Sequence, residues 1–197
     1  MTYDAIFSHL PATRPLHLLD IGCSTCTEGQ QLLDRGITLT GIDQDGATLD
    51  EVRARLPGAT FLTMNAADLE ASERFDFILL RRPDLVLGAR NWRQVFRRLG
   101  RWLAPDGKVV ITTPGRTEAG LAQYWLDQDG AKKVVQTMTN HEDERYMLLA
   151  EGLEEQQAEE DRGTATIHNL MWSDDDGPAM ACDVKTGTCS PVQEQHA

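Results

Sequence analysis

Apolar residues in this chain follow two patterns: short unbroken runs, and longer stretches in which they recur every three or four positions. Residues 16–21 form the first unbroken run, as expected of a strand covered on both faces by helices. Small and polar residues follow (Gly22, Cys23, Ser24, Thr25, Cys26), and a helix is predicted over 28–35, stopping at Gly36. The alternation then repeats. It gives a strand over 37–43, a helix over 45–56 closed by Pro57-Gly58, and strands over 60–64 and 75–80. Trp92, Val95, Phe96, Leu99 and Trp102 share one face of a helix over 91–103, with arginines on the other side. Pro105-Asp106-Gly107 reads as a turn into a strand over 108–113. A helix over 117–128 and strands over 131–139 and 145–150 complete the series. The expected fold class is therefore α/β, a doubly wound, mostly parallel sheet closed by an antiparallel pair.

Composition changes this picture at the two ends. Before residue 16 there is room only for a short amphipathic piece limited by Pro11 and Pro15. From Leu153 onward apolar residues become too few for a core. The chain thus divides into a domain over 1–152 and an acidic, partly irregular tail over 153–197. The formal charge of −12 on 197 residues argues against nucleic acid and anionic lipid as partners, because binding to either is driven by Lys and Arg. One basic stretch survives, with seven arginines and one acid between Arg81 and Arg101. No apolar run approaches the ~20 residues needed to cross a bilayer, and the start lacks the pattern of a signal peptide, so a cytoplasmic protein is expected.

Three predicted strands end at or just before a carboxylate: Asp20, Asp43 and Asp68. Asp43 lies about twenty residues beyond the glycine turn, a spacing suited to an acid receiving the ribose hydroxyls of an adenosine cofactor. Several stretches together resemble a class I S-adenosylmethionine-dependent methyltransferase. They are Asp20-Ile21-Gly22-Cys23-Ser24-Thr25, Gly41-Ile42-Asp43, Asn65-Ala66-Ala67-Asp68, Phe75-Asp76-Phe77-Ile78-Leu79 and Leu103-Ala104-Pro105-Asp106-Gly107. The resemblance implies a seven-stranded Rossmann-like sheet with S-adenosylmethionine above the carboxyl ends of the first strands. It implies methyl transfer to a small-molecule or peptide acceptor. It places the cofactor's methionine part against Gly22, with Cys23 and Ser24 in the same turn and Asp20 facing the amino group. Asp43 would hold the ribose, Asp68 the adenine amino group, and Gln44 and Ala67 would flank the base. Where that family repeats glycine, this chain has Ser24 and Cys26, and the Cβ of Cys26 is expected to keep the turn out of positive φ there.

Arg81 and Arg82 leave the fourth strand where this fold presents groups to its ligands. Arg81 is counted among both the cofactor-binding and the catalytic candidates, able to clamp an anionic group or to pair with Asp84. Asp84, Glu28 and His141 are the candidate general bases. Cys26, near a helix start, is expected to have its thiolate favoured by the helix dipole. Cys182 and Cys189 could form a disulfide or, with Met180 and His196, a soft-metal site; a four-thiolate site with Cys23 and Cys26 fits the spacing less well. The residues also leave open a non-catalytic binding module and a thiol- or metal-handling protein. The apolar patch at 167–172 is expected to cover the cofactor cleft as a lid.

Overall fold

The computed structural model describes residues 16–155 in full and, beyond them, the backbone of three short strands. The main sheet has seven strands: β1 (His17–Ile21), β2 (Thr38–Asp43), β3 (Thr60–Thr63), β4 (Phe75–Arg81), β5 (Leu103–Thr113), β6 (Lys133–Met138) and β7 (Tyr146–Glu151). Their order is β3-β2-β1-β4-β5-β7-β6. β1 to β5 pair in parallel, and β7 runs antiparallel to both of its neighbours. Four helices, α1 (Gly29–Asp34), α2 (Gly46–Arg55), α3 (Ala89–Trp102) and α4 (Arg116–Gln128), connect the strands.

Successive strand residues point to opposite faces, so the continuous runs divide into two cores. Leu18, Phe77, Leu79 and Val110 pack with Leu32 of α1 and with Leu49 and Val52 of α2. Leu19, Ile78, Leu80, Val109 and Ile111 face the other way, onto Val95, Phe96, Leu99 and Trp102 of α3 and onto Trp125 of α4. Burying each such side chain contributes roughly 1.5–3 kcal/mol, which is why these strands carry apolar residues on both faces.

Two local expectations are corrected. The Pro105-Asp106-Gly107 turn lies inside β5, which starts at Leu103 and pairs with Phe75 before its register shifts and resumes at Lys108. The arginines of α3 are not all on its solvent side: Arg93 is buried and makes a bidentate pair with Asp129, its second bond measuring 2.7 Å. A carboxylate one residue beyond α4 gives that guanidinium a place in the interior.

Among the described residues no helix is long and apolar enough to cross a membrane. The three later strands, β8 (Trp172–Asp174), β9 (Gly177–Asp183) and β10 (Thr188–Pro191), form an antiparallel sheet in which Cys182 and Cys189 are register partners. Met180 is on β9, and no side chain of these strands is described. His196 and residues 167–171, the greater part of the expected lid, lie outside the described residues.

Candidate functional site

The carboxyl ends of β1, β2 and β4 lie side by side, and the turn after β1 is built on that edge. The N–H groups of Gly22 and Cys23 both donate to the carbonyl of Ile42, at 2.8 and 3.1 Å. Cys26 then donates to Cys23 and Gly29 to Cys26, which leads the chain into α1. Gly22 has φ +73°, Ser24 +47° and Cys26 +43°. The turn therefore keeps a left-handed backbone where the Cβ of Cys26 was expected to exclude it. At Ser24 and Cys26 this costs roughly 1–2 kcal/mol each, and the surroundings supply compensation. The Cys26 side chain is buried in the core that holds Leu39 and Leu56, and Arg55 at the end of α2 donates to the carbonyls of Thr25 and Cys26.

Asp20 occupies the centre of this edge. It is 2% exposed, and its Oδ1 has no hydrogen-bond partner among the described residues. Burial pushes its carboxyl up to about 7, opposed by the charge of Arg81 and reinforced by those of Glu28 and Asp43. The neighbouring thiols respond in the same way. Burial and then the charge of Asp20 raise Cys23 and take Cys26 up to about 12, against the partial help of Arg55. The expected helix-favoured thiolate is thus overturned: desolvation outweighs the dipole.

Asp43 ties the turn to β2. Its Oδ2 accepts from the N–H of Ser24 at 2.9 Å and its Oδ1 from the N–H of Asp45 at 3.0 Å. Each oxygen keeps a further lone pair for a ligand hydroxyl. Asp45 caps α2 through the N–H and hydroxyl of Thr48, which hold its carboxyl below the usual range, and Gln44 is exposed between the two acids. Beyond β3, the Oδ1 of Asn65 accepts from the N–H of Ala67 at 3.0 Å while its Nδ2 donates to Asn91 of α3 at 2.7 Å. Ala67 is buried in the core and Asp68 is exposed.

Arg81 is held by acids distant in sequence. Its Nε donates to Glu144 at 2.8 Å and a terminal nitrogen donates to Glu28 at 3.3 Å; the hydroxyl of Thr112 also reaches Glu144, at 3.2 Å. Asp84 instead accepts from the N–H of Leu87 in an exposed turn. Arg82 is exposed, 3.9 Å from Asp143, and His141 is exposed. The structure thus brings Asp20, Gly22, Cys23, Ser24, Glu28, Asp43 and Arg81 together, and leaves Asp84, His141 and Asp68 at exposed turns. The sequence reading missed Glu144, Arg55 and the Asn65–Asn91 tie. Glu144 is buried, yet in sequence it cannot be told from Glu142 and Asp143 beside it.

Residues 18–107, the span holding Asp20, Gly22, Asp43, Asp68 and Arg81, match a family model described as a methyltransferase domain. Over that span the chain is similar to the methyltransferase domain family. The chain is 28% identical over 144 residues to trans-aconitate 2-methyltransferase of Acidovorax sp. (strain JS42), a match covering 69% of this chain and 53% of that one. The enzyme of the same name from Paracidovorax citrulli (strain AAC00-1) is 28% identical over 158 residues, covering 74% of this chain and 60% of its own. The chain spans about half the length of the first of these curated relatives. Among solved structures, the N-methyltransferase NodS from Bradyrhizobium japonicum WM9, in complex with S-adenosyl-L-homocysteine, superposes with a TM-score of 0.56 at 19% identity, covering 69% of this chain and 76% of its own. CalS10, an amino pentose methyltransferase from Micromonospora echinaspora, gives 0.60 at 15% identity, covering 75% and 87%. At such identities the likeness is one of fold.

The residues present fit the methyltransferase cofactor. Asp20 has an orphaned, buried oxygen suited to a cationic amino group. Gly22 leaves its backbone bare at a positive φ, and Asp43 is fixed in place with acceptor capacity to spare.

Proposed function

We propose that this chain is a methyltransferase that transfers a methyl group from S-adenosylmethionine to a small-molecule or peptide acceptor, with nucleic acid and membranes outside its range. The observation that carries the reading is the buried Asp20 carboxyl, whose Oδ1 lacks a partner among the described residues, beside the backbone of Gly22. Leaving such an atom unsatisfied costs about 1–3 kcal/mol, a penalty that a bound ammonium group removes.

When bound, the cofactor supplies a methyl group on a positively charged sulfur. The chain's own residues hold and orient it. Asp20 receives the amino group, Gly22 permits close approach, and Asp43 accepts the ribose hydroxyls. Gln44, Ala67 and Asp68 line the adenine end, with Cys23 and Ser24 forming the floor of the turn. Arg81, clasped between Glu28 and Glu144, builds the wall facing the acceptor, and its charge is already engaged by those two carboxylates. What these residues would contribute to catalysis is mainly alignment, by holding the cofactor and the acceptor in fixed positions. Where the acceptor arrives protonated, Glu28 would take the proton.

The test is calorimetric titration with S-adenosylhomocysteine, followed by mass spectrometry of carboxylic acids, amines and peptides incubated with protein and S-adenosylmethionine. Binding that is lost in Asp43→Ala, and a mass gain of one methyl group on one acceptor class, are expected. No binding heat at millimolar cofactor overturns the reading.

A further inference from the structure

The space in front of Gly22 is bounded by a residue from another part of the chain. A methyl group built on Gly22 would lie 4.0 Å from Cη2 of Trp92, and apart from its chain neighbours it would meet no other heavy atom of the described residues within that distance. Trp92 is in the first turn of α3, partly buried and packed on the core beneath it. The opposite edge of its indole is fixed. A Cβ on Gly88 would come within 2.9 Å of Trp92 Cδ1 and 3.2 Å of its Nε1, so the glycine that precedes α3 lets the ring lie flush against the backbone. The adjacent Asn91 is anchored to Asn65 by the 2.7 Å hydrogen bond between their side-chain amides. The ring therefore extends from the start of α3 to the glycine turn after β1, and the position of its helix is tied to the turn that carries Ala67 and Asp68.

We propose that Trp92 is a cofactor-contacting residue, with its indole lying against S-adenosylmethionine where the cofactor approaches Gly22. This rests on the cofactor reading above and adds to it a residue from outside the glycine turn and the acidic strand ends. The chemistry suits the ligand: an indole offers a broad apolar surface and an electron-rich face attractive to a positively charged group. Among the described residues, its chain neighbours apart, the tip of this ring is the side-chain atom nearest to where a Cβ of Gly22 would stand.

The tryptophans make the idea testable by light emission. Trp102 and Trp125 are each 1% exposed in the core, which leaves Trp92 as the partly exposed indole of the described domain. Full-length wild type, Trp92→Phe, Trp92→Ala and Trp172→Phe are titrated with S-adenosylhomocysteine, recording intrinsic fluorescence and binding heat in parallel. The expected result is an emission change in wild type and Trp172→Phe that disappears in Trp92→Phe, together with an affinity roughly 3- to 10-fold weaker in Trp92→Ala. The phenyl ring of Trp92→Phe preserves packing, so loss of the signal with binding heat retained reports contact and not misfolding. An emission change that persists in Trp92→Phe, or that vanishes in Trp172→Phe instead, overturns the inference while leaving the cofactor reading intact. Unweakened binding by Trp92→Ala overturns it as well. Absence of binding heat in wild type removes both.

Discussion

Asp20 carries a pH dependence whose sign follows from its environment. Its folded carboxyl is pushed from 3.8 up to about 7, so between those values the folded chain keeps a proton that the unfolded chain has released. Stability contributed by this group is present below the lower value and lost as pH rises toward the upper one, by at most about 4 kcal/mol. Asp20→Asn is therefore expected to melt higher than wild type at pH 8, the difference closing toward pH 4 in thermal unfolding scans. The same variant should bind S-adenosylhomocysteine at least about tenfold more weakly at pH 8, and wild-type affinity should fall as pH drops below about 7. Ser24 allows a test of backbone strain, since its side chain is exposed and its φ is +47°. Ser24→Gly is expected to raise stability by up to about 1 kcal/mol in denaturant titration. At this scale the acids were legible because strand ends can be counted from the sequence. The conformation of Cys26 was not, because the compensation comes from Leu56 and Arg55, about thirty residues away at the end of α2.

Among the elements, α3 shows the reach and the limit of periodicity. Its spacing correctly picks out Val95, Phe96, Leu99 and Trp102 as core, each 1% exposed or less. It does not reveal that Arg93 turns inward, because that depends on Asp129, a residue of another element. Removing one partner leaves a buried charge, so Asp129→Ala is expected to cost about 3 kcal/mol, whereas replacing both Arg93 and Asp129 by apolar residues should cost much less. A double-mutant cycle in urea measures the difference. Gly100 on the same helix shows a second hidden constraint. A Cβ there would collide with the backbone carbonyl of Glu154, so Gly100→Ala should destabilise by roughly 1–3 kcal/mol despite its better helix propensity. The first part of β5, before Lys108, escaped the sequence reading for the opposite reason. Pro105-Asp106-Gly107 carries turn chemistry, and Asp106 does adopt φ +63°, but pairing of Leu103 with Phe75 draws the segment into the sheet.

For the whole molecule, alternation of runs and periodic stretches was enough to place seven strands and the helices between them, since buried parallel strands leave a strong signature. The way distant elements close the site was not visible, because Arg81 meets Glu144 only after β5 and β7 have paired. Ligand linkage gives a global check: S-adenosylhomocysteine at a hundred times its Kd should stabilise the fold by about 2.7 kcal/mol, read as a rise in Tm. The two buried thiols have a consequence in time. Cys23 and Cys26 are 7% and 4% exposed, and both are held as thiols, so an alkylating reagent reaches them only when the turn opens. Their labelling rate is thus a clock for that opening, one that runs without any engineered probe. Holding the turn shut with a ligand should slow the clock in proportion to occupancy, so that the rate at which two silent sulfurs are modified measures how often the cofactor's seat comes apart.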